Sequence, residues 1–208
     1  MKIAKGDFVE LDFTGKLDDG RVFDTTETAV AKEQDIQQEV APIITCVGER
    51  FVVEGLDNAL EGKSIESFTV DIPPEQGFGK KDPKLLRLIP LKLFKKENIQ
   101  PIPGLEVMID NQRGIIRTVS GGRIIVDFNN PLSSETLHYT VTIKRKVEDK
   151  KEQAEAFLKM FHLPFESLNI KENSLEISSK AQLPPQLIQQ FKTKLIQLVK
   201  LKDVVVNP

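Results

Sequence analysis

Few side chains in this sequence have types and spacing around which chemistry could be built. Asp24 directly follows Phe23, Phe13 lies upstream, and Tyr139 is the single tyrosine. Taken residue by residue, Phe13, Phe23 and Tyr139 read as aromatic packing on the buried faces of strands, and Asp24 as a solvated carboxylate at a strand edge. Cys46 is the only cysteine, which excludes an internal disulfide, and its apolar neighbours mark it as a small core residue. His138 and His162 are the only histidines, so no clustered metal site is expected, and no cofactor is implied.

The chain that must position these groups has 208 residues, which suits two or three compact units better than one small core. Its 39% hydrophobic content can fill such cores, and a formal net charge of −2 from balanced signs gives no footprint for nucleic acid. The first residues, Met1 to Asp7, lack the apolar run of a secretory signal. No stretch approaches the roughly 20 apolar residues of a membrane span. A cytoplasmic protein without membrane partners is the expectation.

Phe8 to Phe13 alternates, with Val9, Leu11 and Phe13 on one side and Glu10 and Asp12 on the other, the period of a half-buried strand. Asp18-Asp19-Gly20 turns the chain into a second short strand over 21–24. Residues 25–41 are polar and weakly patterned, and read as an irregular excursion. Leu56, Ala59 and Leu60 have helical spacing, and Gly62 stands where a short helix would end. Alternation returns over 65–72, is stopped by Pro73-Pro74, and gives way to the loop Gly77-Phe78-Gly79.

Between Asp82 and Asn130 short apolar runs are punctuated by prolines, and 106–109, 114–119 and 123–128 predict three strands of a separate small sheet. Leu137, Tyr139, Val141 and Ile143 then alternate along a strand that returns to the first sheet. After a charged linker at 148–151, Ala154, Phe157, Leu158 and Phe161 predict an amphipathic helix, 174–178 a strand, Leu187 to Val199 a second helix beginning at Pro184-Pro185, and 204–206 a final strand. A unit of about 60 residues at the end of the chain is marginal alone and would gain from self-association.

Four segments together resemble the FKBP family of peptidyl-prolyl cis/trans isomerases, and within it the SlyD-type and long archaeal members. They are Phe13-Thr14-Gly15-Lys16-Leu17-Asp18-Asp19-Gly20-Arg21-Val22-Phe23-Asp24-Thr25, Val47-Gly48 through Val52-Val53-Glu54-Gly55-Leu56, Gly77-Phe78-Gly79, and Leu137-His138-Tyr139-Thr140-Val141. The likeness spans roughly residues 1–147. It implies an α+β fold: an FKBP-like antiparallel β-sheet wrapped on a short helix (1–84 and 129–148), an inserted β-rich flap domain (85–128) and a C-terminal α+β domain (149–208) associated with homodimerisation. It also implies a shallow apolar dish for a proline ring. Asp24, Phe13, Phe23 and Tyr139 would sit at the rotating bond, Ile43, Val52, Val53, Leu56 and Phe78 would bind substrate, and the Val53 N–H would anchor a substrate carbonyl.

The activity so implied is isomerisation of X-Pro bonds in unfolded or partly folded polypeptides, with the flap capturing the chain as a chaperone. Twisting the amide meets a barrier of about 20 kcal/mol, and no covalent bond need break. Phe13 and Phe78 stand where the commonest members carry tyrosine, and Leu56 where they carry tryptophan. Two hydroxyls are thereby lost and the floor is widened. A holdase with an inactive pocket is therefore the competing expectation, and a scaffold that keeps only the fold is a third. The histidine-rich metal-binding tail of some SlyD-type proteins is missing from the sequence.

Overall fold

A computed structural model describes residues 2–179 and 184–207. Along the chain the elements run β1 (Phe8–Lys16), β2 (Val22–Thr25), α1 (Thr28–Glu33), β3 (Ile43–Cys46), α2 (Glu54–Leu60) and β4 (Ser67–Ile72). They continue with β5 (Leu86–Pro90), α3 (Leu91–Lys96), β6 (Glu106–Ile109), β7 (Gln112–Ser120), β8 (Arg123–Asp127) and β9 (Leu137–Val147). The chain ends with α4 (Lys150–Met160), β10 (Ser167–Lys171), β11 (Ser174–Ser178), α5 (Pro185–Val199) and β12 (Asp203–Asn207). Residues 1–72 together with 137–208 form one compact unit, and 73–136 form another. No described helix is long and apolar enough to cross a membrane.

In the first unit, β9 lies between β1 and β4, and the other edge of β1 is shared by β2 and β3, every pair antiparallel. Alternation places Leu11, Phe13, Tyr139, Val141, Ile143 and Ile72 in the interior, each at most 6% exposed. The opposite face carries charge: Lys146, Arg145 and Lys144 of β9 pair with Asp7, Glu10 and Asp12 at 2.7, 2.5 and 2.7 Å. Such pairs contribute little individually, so the apolar face sets the register.

Helix α2 lies on β4 because Gly55 permits it. A Cβ there would stand 2.4 Å from Cγ2 of Ile72. Leu56 and Leu60, one turn apart, are buried beneath it. Gly62, with φ +79°, follows the helix as the spacing predicts. Residues 25–41 are less irregular than expected, since Thr28–Glu33 is helical and buries Ala31. A helix this short, with one fully buried residue, leaves no periodic stripe to read.

The first unit holds a further cluster in which Phe8, Cys46 and Val147 pack with Phe157 and Leu158 of α4, Leu175 and Ile177 of β11, and Leu195 and Leu198 of α5. The terminal sheet has the order β10-β11-β12, antiparallel between β10 and β11 and parallel between β11 and β12. Strand β10 was not expected, because its burial rests on Leu168 and half-buried Ile170 alone.

The second unit is a four-stranded sheet, β5-β8-β7-β6, one strand more than the pattern predicts. Strand β5 is masked in the sequence by Pro90, which ends it and starts α3. Ile89, Phe94, Val107, Ile116, Ile124 and Val126 form its core, and the Phe128 ring packs over Gly114.

Candidate active site

The register of four strands places Asp24, Gly15, Tyr139 and Val70 in one row, as successive cross-strand partners on β2, β1, β9 and β4. At Gly15 the missing side chain leaves room for the Phe23 ring, whose Cζ would be 2.5 Å from a Cβ at that position. Tyr139 then meets two rings edge-on: Phe13 at 5.6 Å and 65°, and Phe23 at 5.6 Å and 90°. Such edge-to-face pairs contribute about 0.5–1.5 kcal/mol beyond area burial. Phe13 and Tyr139 are buried while Phe23 remains half-buried, so Phe23 is the accessible ring of the cluster.

Asp24 stands in the same cross-strand row as Tyr139. Its side chain reaches solvent, yet the apolar surroundings on its protein side push its carboxyl above the usual aspartate range, an effect that the Thr25 N–H partly offsets. Burial raises the Tyr139 hydroxyl, and the charge of Asp24 raises it further. The backbone behind Asp24 is fixed by hydroxyls. Thr26 Oγ1 accepts the Phe13 N–H at 2.8 Å and donates to Asp12 Oδ1 at 2.9 Å, while the Thr14 and Thr25 hydroxyls share a bond of 2.9 Å. These bonds clamp the end of β2 and the residue after it to β1, just C-terminal to the carboxylate.

The remaining residues lie on other elements. Ile43 is in register with Leu11, on the face that carries Phe13, and is half-buried. It also borders a separate open groove with Ile44, Ala156 and Met160. Leu56 is buried at the α2–β4 packing, and Val52 and Val53 lead half-buried into α2. Val53 is the N-cap of α2 with φ −56° and ψ 143°, so its own N–H lies outside the intrahelical ladder. Phe78 belongs to the second unit, where its carbonyl accepts the Ser133 hydroxyl at 3.2 Å.

Two positioning residues escaped the sequence reading. Gly15 carries no signal beyond its place in the motif, because a close ring contact is a tertiary fact. Asp57 is 2% exposed, and its carboxylate accepts the N–H groups of Gly48 at 2.9 and 3.1 Å and of Arg50 at 2.9 Å. It thereby fixes the turn, with Arg50 at φ +56°, that delivers Val52 and Val53. The available signal was a charged residue beside Leu56 on a helix that must lie on a sheet. Cys46 is fully buried, and desolvation pushes its thiol up to about 12, which suits its expected place in the core.

Known proteins resemble this chain in sequence. Residues 1–92 match the family described as FKBP-type peptidyl-prolyl cis-trans isomerase, and residues 87–132 match the IF domain of FKBP26. The short-type peptidyl-prolyl cis-trans isomerase of Methanocaldococcus jannaschii is 34% identical over 146 residues, covering 68% of this chain and 92% of that protein. The FKBP-type isomerase SlyD of Aeromonas hydrophila is 34% identical over 149 residues, covering 69% of this chain and 64% of that one. The FKBP-type 16 kDa isomerase of Escherichia coli K12 is 26% identical over 136 residues, covering 63% and 85% respectively. By its 34% identity to the archaeal short-type isomerase, 92% of which it covers, this chain belongs to the FKBP-type peptidyl-prolyl cis-trans isomerases and is SlyD-like.

Proposed function

We propose that the first unit isomerises X-Pro bonds in unfolded polypeptides at the Phe13, Phe23 and Tyr139 dish, and that the second unit captures those polypeptides as a chaperone. The observation that carries the first half is the packing of two rings edge-on against Tyr139 beside a carboxylate that its surroundings destabilise. A twisted amide has lost resonance and part of its carbonyl dipole, so an apolar wall disfavours it less than the planar ground state. Each tenfold gain in rate needs about 1.4 kcal/mol of such discrimination. Asp24 faces the rotating amide, the Val53 N–H anchors a substrate carbonyl, and Ile43, Val52 and Leu56 contribute apolar contacts.

Exposed apolar area supports the second half. Leu86, Leu88, Leu93, Ile99, Ile102, Met108 and Val119 of the second unit are each between 36% and 67% exposed. Leu86 and Leu88 alternate with buried Ile89 on β5, which puts them on the outer face of that sheet, and half-buried Ile125 is in register with Leu88. An apolar outer face on so small a sheet is a surface for extended, greasy chain.

The same reading extends to the cytoplasm as its setting and to a homodimer through the C-terminal segment. Phe161 and Val205, 43% and 39% exposed, give that segment apolar surface, and light scattering on the full chain reports the dimer.

A proline-limited refolding reaction tests the division of labour. Substoichiometric protein should accelerate it, and Asp24→Leu should slow both this reaction and turnover of a proline tetrapeptide. Leu88→Ser with Met108→Ser should reduce acceleration of the refolding protein at least fivefold more than tetrapeptide turnover, an expectation of about 1 kcal/mol. Equal losses on both substrates would overturn capture by the second unit, and an unchanged rate in Asp24→Leu would overturn the role of the carboxylate.

A further inference from the structure

We infer that the C-terminal segment braces the substrate-anchoring backbone of the isomerase site, with Phe51 as the positioning residue through which it acts. The inference rests on the assignment of Val52 and Val53 as the anchor. Phe51 immediately precedes them and packs into the C-terminal segment. Its ring meets Phe157 of α4 at 6.0 Å and Phe161 at 5.6 Å and 89°, and Phe161 meets Phe191 of α5 at 5.5 Å. Two residues upstream, Glu49 forms an ion pair with Lys194 of α5.

Asp57 of α2 holds the same turn from the other side through the N–H groups of Gly48 and Arg50. Residues 48–53 are therefore clamped between α2, which belongs to the isomerase sheet, and two helices that follow it in sequence. The clamp matters because an anchoring N–H contributes only if its position is fixed before substrate arrives. A turn held by Asp57 alone could still rotate about residues 51–53, where no strand ladder restrains the backbone. The aromatic cluster removes that freedom.

Loosening the anchor weakens contacts made equally to the planar and twisted amide, so KM should change and kcat should not. The experiment is tetrapeptide isomerisation by the full chain carrying Phe161→Ala, Lys194→Gln, Phe51→Ala or Phe51→Leu, with thermal unfolding measured in parallel. Phe161→Ala is the decisive variant, because Phe161 is 43% exposed and is not itself one of the buried core residues. We expect KM to rise about fivefold with kcat within twofold, a loss of about 1 kcal/mol of uniform binding. Phe51→Leu should restore most of what Phe51→Ala loses, and Phe51→Ala with Phe161→Ala should be no worse than Phe51→Ala alone.

Val53→Pro serves as the control, since φ −56° already suits proline and the substitution deletes the donor. If Val53→Pro leaves turnover unchanged, the anchor assignment falls and the inference falls with it. If Val53→Pro lowers kcat/KM while Phe161→Ala and Lys194→Gln leave KM within twofold, the brace alone is overturned, whatever happens to the melting temperature.

Discussion

The ring of Phe23 occupies the space that a side chain at residue 15 would need, with its Cζ 2.5 Å from where a Cβ on Gly15 would stand. This places an apolar wall beside Tyr139 and aligns it with Asp24 across the β2–β1–β9 row. Gly15→Ala should therefore push the ring out of the dish. Overpacking of this kind costs about 1–3 kcal/mol. We expect a lowered melting temperature and a fall of about tenfold in tetrapeptide kcat/KM, larger than that of Gly20→Ala at the turn.

Asp24 costs the fold stability when it ionises. Its raised pKa means that the folded protein holds the proton more tightly than the unfolded chain, so stability falls as pH rises from the ordinary aspartate value through the raised one. At neutral pH the ionised group is therefore a burden on the fold. Asp24→Asn should raise the melting temperature at pH 7, give no gain at pH 3, and lower isomerase activity at both substrates. Melting curves across that range, paired with turnover, check the opposition.

His138 shows the opposite sign. On β9 its ring bridges Asp18 in the β1–β2 turn at 2.6 Å and Asp71 of β4 at 2.7 Å, with Lys16 as its register partner on β1. Hydrogen bonds to Asp18 and then Asp71 raise its pKa. The stabilisation is complete below the unfolded value of about 6.5 and is lost as pH rises through the folded value. His138→Gln should flatten the pH dependence of the melting temperature between about pH 6.5 and the raised value while leaving the curve above it nearly unchanged. The pairs are exposed, so the effect should shrink in high salt.

Cys46 reports on docking of the C-terminal helices, because it is buried in the cluster that includes Phe157, Leu195 and Phe8 and its thiol is pushed up to about 12. Alkylation at pH 8 should be slow in the native protein and fast in urea. Phe157→Ala should accelerate it at least tenfold under native conditions, a shift of about 1.4 kcal/mol in local opening.

Much of the first sheet was legible because its strands have one wet and one dry face. The alternation over Phe8 to Phe13 and Leu137 to Ile143, and the glycine after Leu60, needed no partner to be read. Strands β3, β5 and β10 and helix α1 were not legible, since each is short and draws its burial from whatever covers it. Of the site, the motif order marked Asp24, Phe13, Phe23 and Tyr139, although each alone looks like packing or a solvated edge.

The amino-acid sequence by itself determined which faces are apolar, where the chain turns and which motifs it shares, because periodicity and turn chemistry are local. Only the tertiary structure decided that Gly15 makes room for Phe23, that buried Asp57 holds the turn before Val52, and that Phe51 leans on Phe157 and Phe161. Each of those relationships joins residues whose meeting depends on strand register or on packing of distant helices, and no local pattern encodes either.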